Sequence, residues 1–546
     1  MTWPRRWGLS RGLGWRAERL ALAGAVLVGA LVRLSFVVGH DFPLNDGGLF
    51  YLMTRELQQA RYALPLHTAY NGADIPFAYP PLGLYLAGLL DELGPWSLLE
   101  VYRFLPFVLS LLTIPAFYLL ARALVAGPAL AYAVVAFALL PRSFCWLIMG
   151  GGVTRALGFV FALVAVWQGY LMYTRAARGH LVAAMLCASG AVLSHLEMGL
   201  FVAYTLGVFL LVYGRGRAGL WRSALVALGT AALTAPWWGA VIARHGLAPL
   251  LAASDHGWGL LSGVATLLLL LISEEPHFPL LALLALLGAL ACLARGRRLE
   301  PVWLAVAFVL DPRSAHTVAT VPLALLAGIG ISEWLLPLLS RAPRPTMEAS
   351  GEVSGEGGGA KGLLGQGVLA FIFLYALLSA LAPGRPLLEP LSPEERQAMA
   401  WVAGHTPPES RFLVLTGDHW PEDRSAEWFP VLAGRVSVAT VQATEWLPGF
   451  ERRARGYVTL QRCARQDVAC LERWAQQAGV AFSHVYVARR PAVARGASGD
   501  CCSGLLSALF CDRGYRLLYD GPGAAVFGRA AAPARGAGVG GGDGGG

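Results

Sequence analysis

Carboxylates are scarce in this chain, yet two of them follow directly on its first long apolar run, in His40-Asp41-Phe-Pro-Leu-Asn-Asp46-Gly-Gly-Leu-Phe-Tyr51. An aromatic stretch comes next, Phe77-Ala-Tyr79-Pro-Pro-Leu-Gly-Leu-Tyr85. Arg142 and Arg155 stand on either side of a glycine run, Gly150-Gly-Gly-Val-Thr-Arg155. His195 and Glu197 share Ser194-His-Leu-Glu197, and Asp311 and Arg313 share Asp311-Pro-Arg-Ser-Ala-His316. Acidic groups beside a membrane are costly and therefore functional candidates. A carboxylate or histidine can move a proton, and a guanidinium grips phosphate through parallel N–H donors. Together these residue types are the parts of an anion-handling acid/base site: arginines hold a lipid phosphate while a carboxylate takes a proton from an attacking hydroxyl.

Each part also has a plainer reading. Asp46 is placed to N-cap an amphipathic helix beginning at Gly47. Arg142 and Arg155 fit snorkelling residues at a membrane interface. His195 and Glu197 fit a polar connection in a tight helical hairpin, and Asp311-Pro-Arg is an adequate turn sequence without any ligand. What favours the functional reading is that all of them fall on one membrane face, which depends on the elements that carry them.

Only 14% of the 546 residues are charged and 56% are hydrophobic, against roughly a quarter charged in soluble domains. Repeated apolar runs of about 20 residues define a polytopic α-helical membrane protein, because only helices satisfy their own backbone in lipid. The net charge of +9 calls for no nucleic acid: the excess Arg lies in short loops between spans, where the positive-inside rule places it. The first span, 20–39, reads as uncleaved, since Arg33 interrupts it and no small-x-small site follows. Ten more spans are expected at 103–122, 128–147, 153–173, 180–194, 197–213, 221–242, 278–294, 301–310, 316–339 and 363–381, about 11 in all. Arg175 and Arg178, Arg215, Arg217 and Arg222, and Arg295, Arg297 and Arg298 mark cytoplasmic loops. The run 259–272 would break this alternation and is read as a re-entrant or surface-lying helix.

The expected organisation is then a cytoplasmic N-terminus (1–19) and a transmembrane domain (20–340) with its first outer loop at 40–102. A disordered cytoplasmic linker (341–361) and a last transmembrane helix (362–384) follow. The region 385–528 is an extracytoplasmic α/β domain, and 529–546 is a disordered tail. Within 385–528 the pattern gives helices near 393–404 and 470–478, strands at Phe412–Thr416 and from His484, and a closing strand pair at Tyr515 and Ala525. Cys463, Cys470, Cys501, Cys502 and Cys511 lie in this region, where disulfides are plausible but five thiols cannot all pair within the chain. The composition, rich in Ala, Leu, Gly and Arg, points to a bacterial plasma (inner) membrane, with the N-terminus cytoplasmic.

The order of these features resembles the GT-C superfamily of membrane glycosyltransferases, in its protein mannosyltransferase and aminoarabinose-transferase branch. The resemblance rests on the first span, the acidic loop Asn45-Asp46-Gly-Gly-Leu-Phe-Tyr51, Tyr79-Pro-Pro-Leu-Gly-Leu-Tyr85, and Tyr102-Arg103-Phe-Leu-Pro106 opening the next span. A looser likeness runs from Pro393-Glu-Glu-Arg to Ser410-Arg-Phe-Leu-Val414, which is similar to the entry into the soluble domain of oligosaccharyltransferase catalytic subunits. The acceptor motif Trp-Trp-Asp-Tyr-Gly of that family is absent; Thr416-Gly-Asp-His-Trp420 stands roughly in its place.

The resemblance implies sugar transfer from a polyprenyl-phosphate-linked donor, within the membrane lipid, to an acceptor (protein, lipid or glycan) at the outer face. It makes Asp46 the general base, with Asp41 as second choice. Arg313 is assigned to the donor phosphate on position and charge, with Arg155, His195, Glu197 and Tyr79 as further substrate-binding residues. Gly47 stands where the family pairs its Asp with Glu, so a metal-independent base is preferred to a divalent-metal site and no cofactor is expected. Two other functions compete: a transporter or flippase of a lipid-linked substrate, and a catalytically inactive GT-C-like assembly protein.

Overall fold

The structure of the protein, a computed structural model, describes residues 14–254, 260–268, 273–340, 357–382, 388–489 and 501–530. The chain divides into two compact units, one of residues up to Pro390 together with Ala443–Glu451, the other of Leu391–Gln442 and Arg452 onward.

The first unit is helical. It opens with α1 (Trp15–Val38), two short helices α2 (Gly48–Gln59) and α3 (Leu82–Leu93), then α4 (Leu98–Leu124) and α5 (Pro128–Leu139). It continues through α6 (Gly152–Arg175), α7 (Arg178–Ser194), α8 (Leu196–Tyr213), α9 (Arg217–His245), α10 (Ala248–Ser254) and α11 (Leu260–Leu268). Next come α12 (Leu280–Ala294) and α13 (Leu299–Leu310). An apolar column of α14 (Ala315–Val318), α15 (Thr320–Gly330) and α16 (Leu336–Ser340) precedes α17 (Gly357–Ala380). Between α2 and α3, β1 (His67–Thr68) and β2 (Ile75–Pro76) pair antiparallel.

Six of these helices, α1, α4, α6, α8, α9 and α17, and the column α14–α16 taken as one span are long and apolar enough to cross a membrane, and α5, α7, α12 and α13 are shorter apolar helices. The chain is a multi-pass membrane protein whose apolar helices correspond one for one to the eleven spans expected from sequence. Most differ by a few residues at their ends, and one ends well short of its expected boundary. The run 128–147 is helical only to Leu139, because Pro141 cannot continue the ladder and disfavours helix in the residue before it. Residues 140–151 instead make a compact, buried connection into α6. Of the run 259–272 the structure describes the nine residues of α11; the rest lies outside the described residues. So do most of the linker 341–361 and of the tail 529–546.

Arg33, which interrupts the first apolar run, is fully buried. Its Nε donates to Ser110 Oγ of α4 (3.0 Å) and its Nη1 to the Ala138 carbonyl of α5 (2.9 Å). The guanidinium also lies 4.8 Å from the centre of the Phe144 ring. A polar side chain in an apolar run thus ties three helices together, as buried polar groups in lipid must find partners inside the protein.

At the centre of the unit every residue of α15 from Thr320 to Gly330 is buried. Gly330 faces the Leu284 carbonyl of α12, and Gly288 of α12 faces the Leu326 carbonyl. A Cβ at either position would collide with that backbone. Small residues at these contacts let the two helices approach closely, which is how helices associate where the hydrophobic effect gives no net drive.

The second unit carries the helices α18 (Pro393–His405), α19 (Arg424–Leu432), α20 (Phe450–Arg462, which starts in the first unit), α21 (Val468–Ala478) and α22 (Ser503–Cys511). Its mixed sheet runs β4 (Val436–Ser437), β3 (Arg411–Leu415), β5 (His484–Ala488), β7 (Ala524–Arg529), β6 (Tyr515–Asp520). β3 is parallel to β4 and β5, whereas β7 is antiparallel to both β5 and β6. The core beside the sheet is built from Leu413, Leu415, Val485, Val487 and Phe527 with Leu460, Leu471 and Trp474. Cys463 pairs with Cys470 and Cys501 with Cys502, and Cys511 is a free thiol. This is the small α/β region that the strand and helix patterns led us to expect.

Candidate active site

Asp46 does not cap the helix that follows it. The cap of α2 is Gly47, in a left-handed conformation (φ 115°), and it makes no side-chain cap bond. Glycine alone adopts that backbone at little cost. It turns the chain so that the Asp46 side chain leaves α2 and meets the start of α6. There Oδ1 accepts the Gly151 N–H (2.7 Å) and Oδ2 accepts from Arg155 Nη2 (2.6 Å). A carboxylate at a helix N-terminus is favoured by the unsatisfied N–H groups and the helix dipole.

The glycine run explains the close approach. The Leu44 carbonyl accepts from Gly150 N (2.9 Å). A Cβ on Gly151 would stand 2.7 Å from Asp46 Oδ2, 3.0 Å from Arg155 Nη2 and 3.0 Å from Phe50. Gly151→Ala is therefore expected to push the carboxylate from its seat. A displacement of about 1 Å at a reacting group can cost about 10²-fold in rate. The expected result is a large fall in kcat with little change in thermal unfolding; an unchanged kcat would show that the seat of Asp46 does not matter.

Arg155 is half-buried. Besides Asp46 it donates from Nε to the Trp146 carbonyl (3.0 Å), and its guanidinium lies 5.4 Å from the Trp146 ring centre. An ion pair and a carbonyl contact hold it, so it is not simply a snorkelling side chain. Asp41 is exposed on the approach to this loop, while Asp46 is buried.

Tyr79 links the first pair to the others. Its hydroxyl bonds to Thr154, next to Arg155. Its ring packs edge-on against Phe50 (centroids 4.6 Å), Trp446 (5.8 Å) and His195 (6.1 Å). Burial raises its pKa, with Glu197 and Glu445 adding to the rise.

His195 sits in the break between α7 and α8, with Nδ1 3.8 Å from Glu197 Oε2. Glu197 Oε1 is in turn 3.4 Å from Arg313 Nε. Arg313 Nη2 is 3.8 Å from Glu445 Oε1. Sequence reasoning missed Glu445: it lies in a single turn, Thr444–Trp446, within 443–451, the stretch of the C-terminal half that belongs to the first unit. Burial raises its carboxyl pKa, and Arg313 opposes the rise. Arg142, in the connection before α6, is engaged by Glu274.

Asp311, in the turn between α13 and α14, accepts the Ser314 N–H (3.2 Å) through Oδ1. Its Oδ2 is buried without a hydrogen-bond partner among the described residues. Burial and then the Glu197 charge push this carboxyl up to about 7. Because the folded state holds the proton up to about pH 7 and an unfolded Asp loses it near about 3.9, this group's contribution to stability falls as pH rises between those values. Asp311→Asn is expected to flatten that part of the pH-stability profile, read by thermal unfolding between pH 4 and 8. A profile that keeps its slope would remove Asp311 as its source.

Among the described residues, no three His, Cys, Asp or Glu side chains gather as a metal site.

No family model and no curated protein matches the sequence. Solved structures do resemble the fold. ArnT from Cupriavidus metallidurans aligns over 94% of this chain and 98% of its own, with a TM-score of 0.52 and 16% identity; it has also been solved bound to undecaprenyl phosphate. The archaeal oligosaccharyltransferase AglB from Archaeoglobus fulgidus, in complex with an inhibitory peptide and a dolichol-phosphate, aligns over 87% of this chain and 70% of its own (TM-score 0.52, 15% identity). The arabinofuranosyltransferase AftD from Mycobacteria aligns over 96% of this chain (TM-score 0.51, 16% identity), which spans only 42% of AftD. All three belong to the GT-C superfamily. The chain is a multi-pass membrane protein with the GT-C glycosyltransferase fold.

Proposed function

We propose that the protein transfers a sugar from a polyprenyl-phosphate-linked donor to an acceptor hydroxyl at the outer face of the membrane. In this reading Asp46 takes the proton of the acceptor hydroxyl. The oxygen attacks the anomeric carbon of the donor as the bond from that carbon to the phosphate oxygen breaks, inverting the centre. The lipid phosphate leaves with the electron pair, and Arg313 carries its charge. Arg155 and Gly151 fix Asp46; each carboxylate oxygen keeps a second lone pair for the acceptor. Tyr79, His195 and Glu197 connect base and arginine through successive contacts, Tyr79 to His195, His195 to Glu197 and Glu197 to Arg313.

The observation that carries this proposal is the seating of the Asp46 carboxylate at the start of α6, between the Gly151 N–H and Arg155. The Arg-bearing loops support an outward placement of the site and a cytoplasmic N-terminus, and the Ala-, Leu-, Gly- and Arg-rich composition supports a bacterial inner membrane. Support for the donor class comes from the polyprenyl phosphates named with ArnT and AglB. The direct test incubates the purified protein with a panel of polyprenyl-phosphate sugars and scores released polyprenyl phosphate and glycosylated acceptor. Release with none of the panel, under conditions where the lipids bind, would favour a flippase or an inactive assembly protein.

A further inference from the structure

Arg313 holds a guanidinium between two carboxylates without a hydrogen bond to either. Glu197 approaches Nε at 3.4 Å and Glu445 approaches Nη2 at 3.8 Å. Charge-assisted bonds of this type run at about 2.7–2.9 Å. Both carboxylates therefore stand off, on N–H groups that a phosphate would use bidentately. Among the described residues Arg313 makes no closer polar contact.

The two carboxylates are mounted differently. Glu197 belongs to α8, a helix of 18 residues. Glu445 is in the single turn Thr444–Trp446, bounded by Ala443 (φ 70°) and Gly449 (φ 84°). A left-handed alanine costs on the order of 1 kcal/mol, and such positions persist only where surrounding contacts impose them. The contact here is Trp446, buried against the Tyr79 ring.

Charge makes the same point. Asp46 is matched by Arg155. That leaves Arg313 facing Glu197 and Glu445, with Asp311 two residues away. An incoming phosphate adds further negative charge to a place that already has an excess of it. One carboxylate must take up a proton or withdraw.

We propose that Glu445 is an exchangeable carboxylate, occupying Arg313 until a phosphate group displaces it. This rests on the reading of Arg313 as the ligand of the donor phosphate. Glu445 is then a positioning residue: it keeps the half-buried guanidinium neutralised in the free protein, and its release exposes the N–H fork. The groups facing it are Arg313, Glu197 and Tyr79. The elements packed on its turn, α10 and β2, carry no titratable side chain. Burial pushes the Glu445 carboxyl up and Glu197 adds to the rise, so acid conditions favour the exchange.

The test measures binding of polyprenyl phosphate, without sugar, to the full-length protein in nanodiscs. Glu445→Gln is expected to tighten binding by about tenfold, the gain from removing one competing charge. It should lower the donor KM without raising kcat and weaken the loss of affinity on going to higher pH. Glu445→Asp, which keeps the charge, should bind like the wild type and shows that the turn tolerates substitution. On an Arg313→Ala background, Glu445→Gln should give no gain.

Glu445→Gln binding no tighter than wild type, with Arg313→Ala still weakened, would overturn the exchange and leave Arg313 as the phosphate ligand. Arg313→Ala binding as well as wild type would overturn the assignment of Arg313 itself. Parallel titration with inorganic phosphate separates the sources. A gain seen with both ligands assigns the exchange to any phosphate, and a gain confined to the lipid assigns it to the headgroup.

Discussion

Asp46→Asn is expected to slow sugar transfer by roughly 10²–10⁴-fold, the usual worth of a positioned general base, while binding of polyprenyl phosphate persists. The substitution is nearly isosteric. The Asn oxygen can still accept the Gly151 N–H, so the start of α6 keeps its partner. What is lost is the negative charge opposite Arg155 and the ability to accept a proton. Transfer should therefore fall at fixed donor KM, with the protein still inserted and monodisperse in detergent. A folded Asp46→Asn protein that transfers sugar at the wild-type rate would end the assignment of this residue. Asp41→Asn supplies the comparison: its side chain is exposed, and the expected effect is small.

How much of this was legible beforehand depends on whether the information is local. The spans are local, because apolar length alone decides them, and their order supplied the resemblance to GT-C enzymes. The loop carrying Asp46 was legible as a site because a carboxylate beside an apolar run is expensive. Its geometry was not. Reading Asp46 as a helix cap was reasonable from composition, but Gly47 takes the cap position and frees the side chain to cross to Gly151 and Arg155. The signal for that crossing was present in Gly150-Gly-Gly, since three glycines before a helix mark a place where another backbone comes close. Nothing in the sequence says which backbone.

Glu445 was illegible for a stronger reason. Its surroundings, Gln442-Ala-Thr-Glu-Trp446, have the composition of any loop in a soluble region. Its relevance comes from the grouping of 443–451 with the membrane unit, a long-range event without a periodic signature. The helix α5 shows the opposite case, a local signal that was under-read: Pro141 was enough to end the span before Arg142. Arg142, expected near the site by its position, is instead matched to Glu274, a pairing that only the fold could reveal.

Arg313→Ala is expected to lower kcat/KM by roughly 10²–10³-fold, the cost of removing one donor to a developing oxyanion. The loss should fall on both donor KM and kcat, because the same guanidinium holds the phosphate in the ground state and takes up the charge that grows as it leaves. Arg313→Lys should recover only part of this. An ammonium is a point charge without the planar fork, and Glu197 and Glu445 are spaced for a guanidinium between them. The split between the constants separates the competing functions. For an enzyme, steady-state turnover and single-turnover release of lipid phosphate fall together. For a flippase or an inactive binding protein, Arg313→Ala would weaken lipid binding with no chemical step to slow. A variant with normal donor KM and normal kcat would place the phosphate elsewhere. Arg155 would then be the arginine to test, since its guanidinium lies against the base, held by Asp46 and the Trp146 carbonyl.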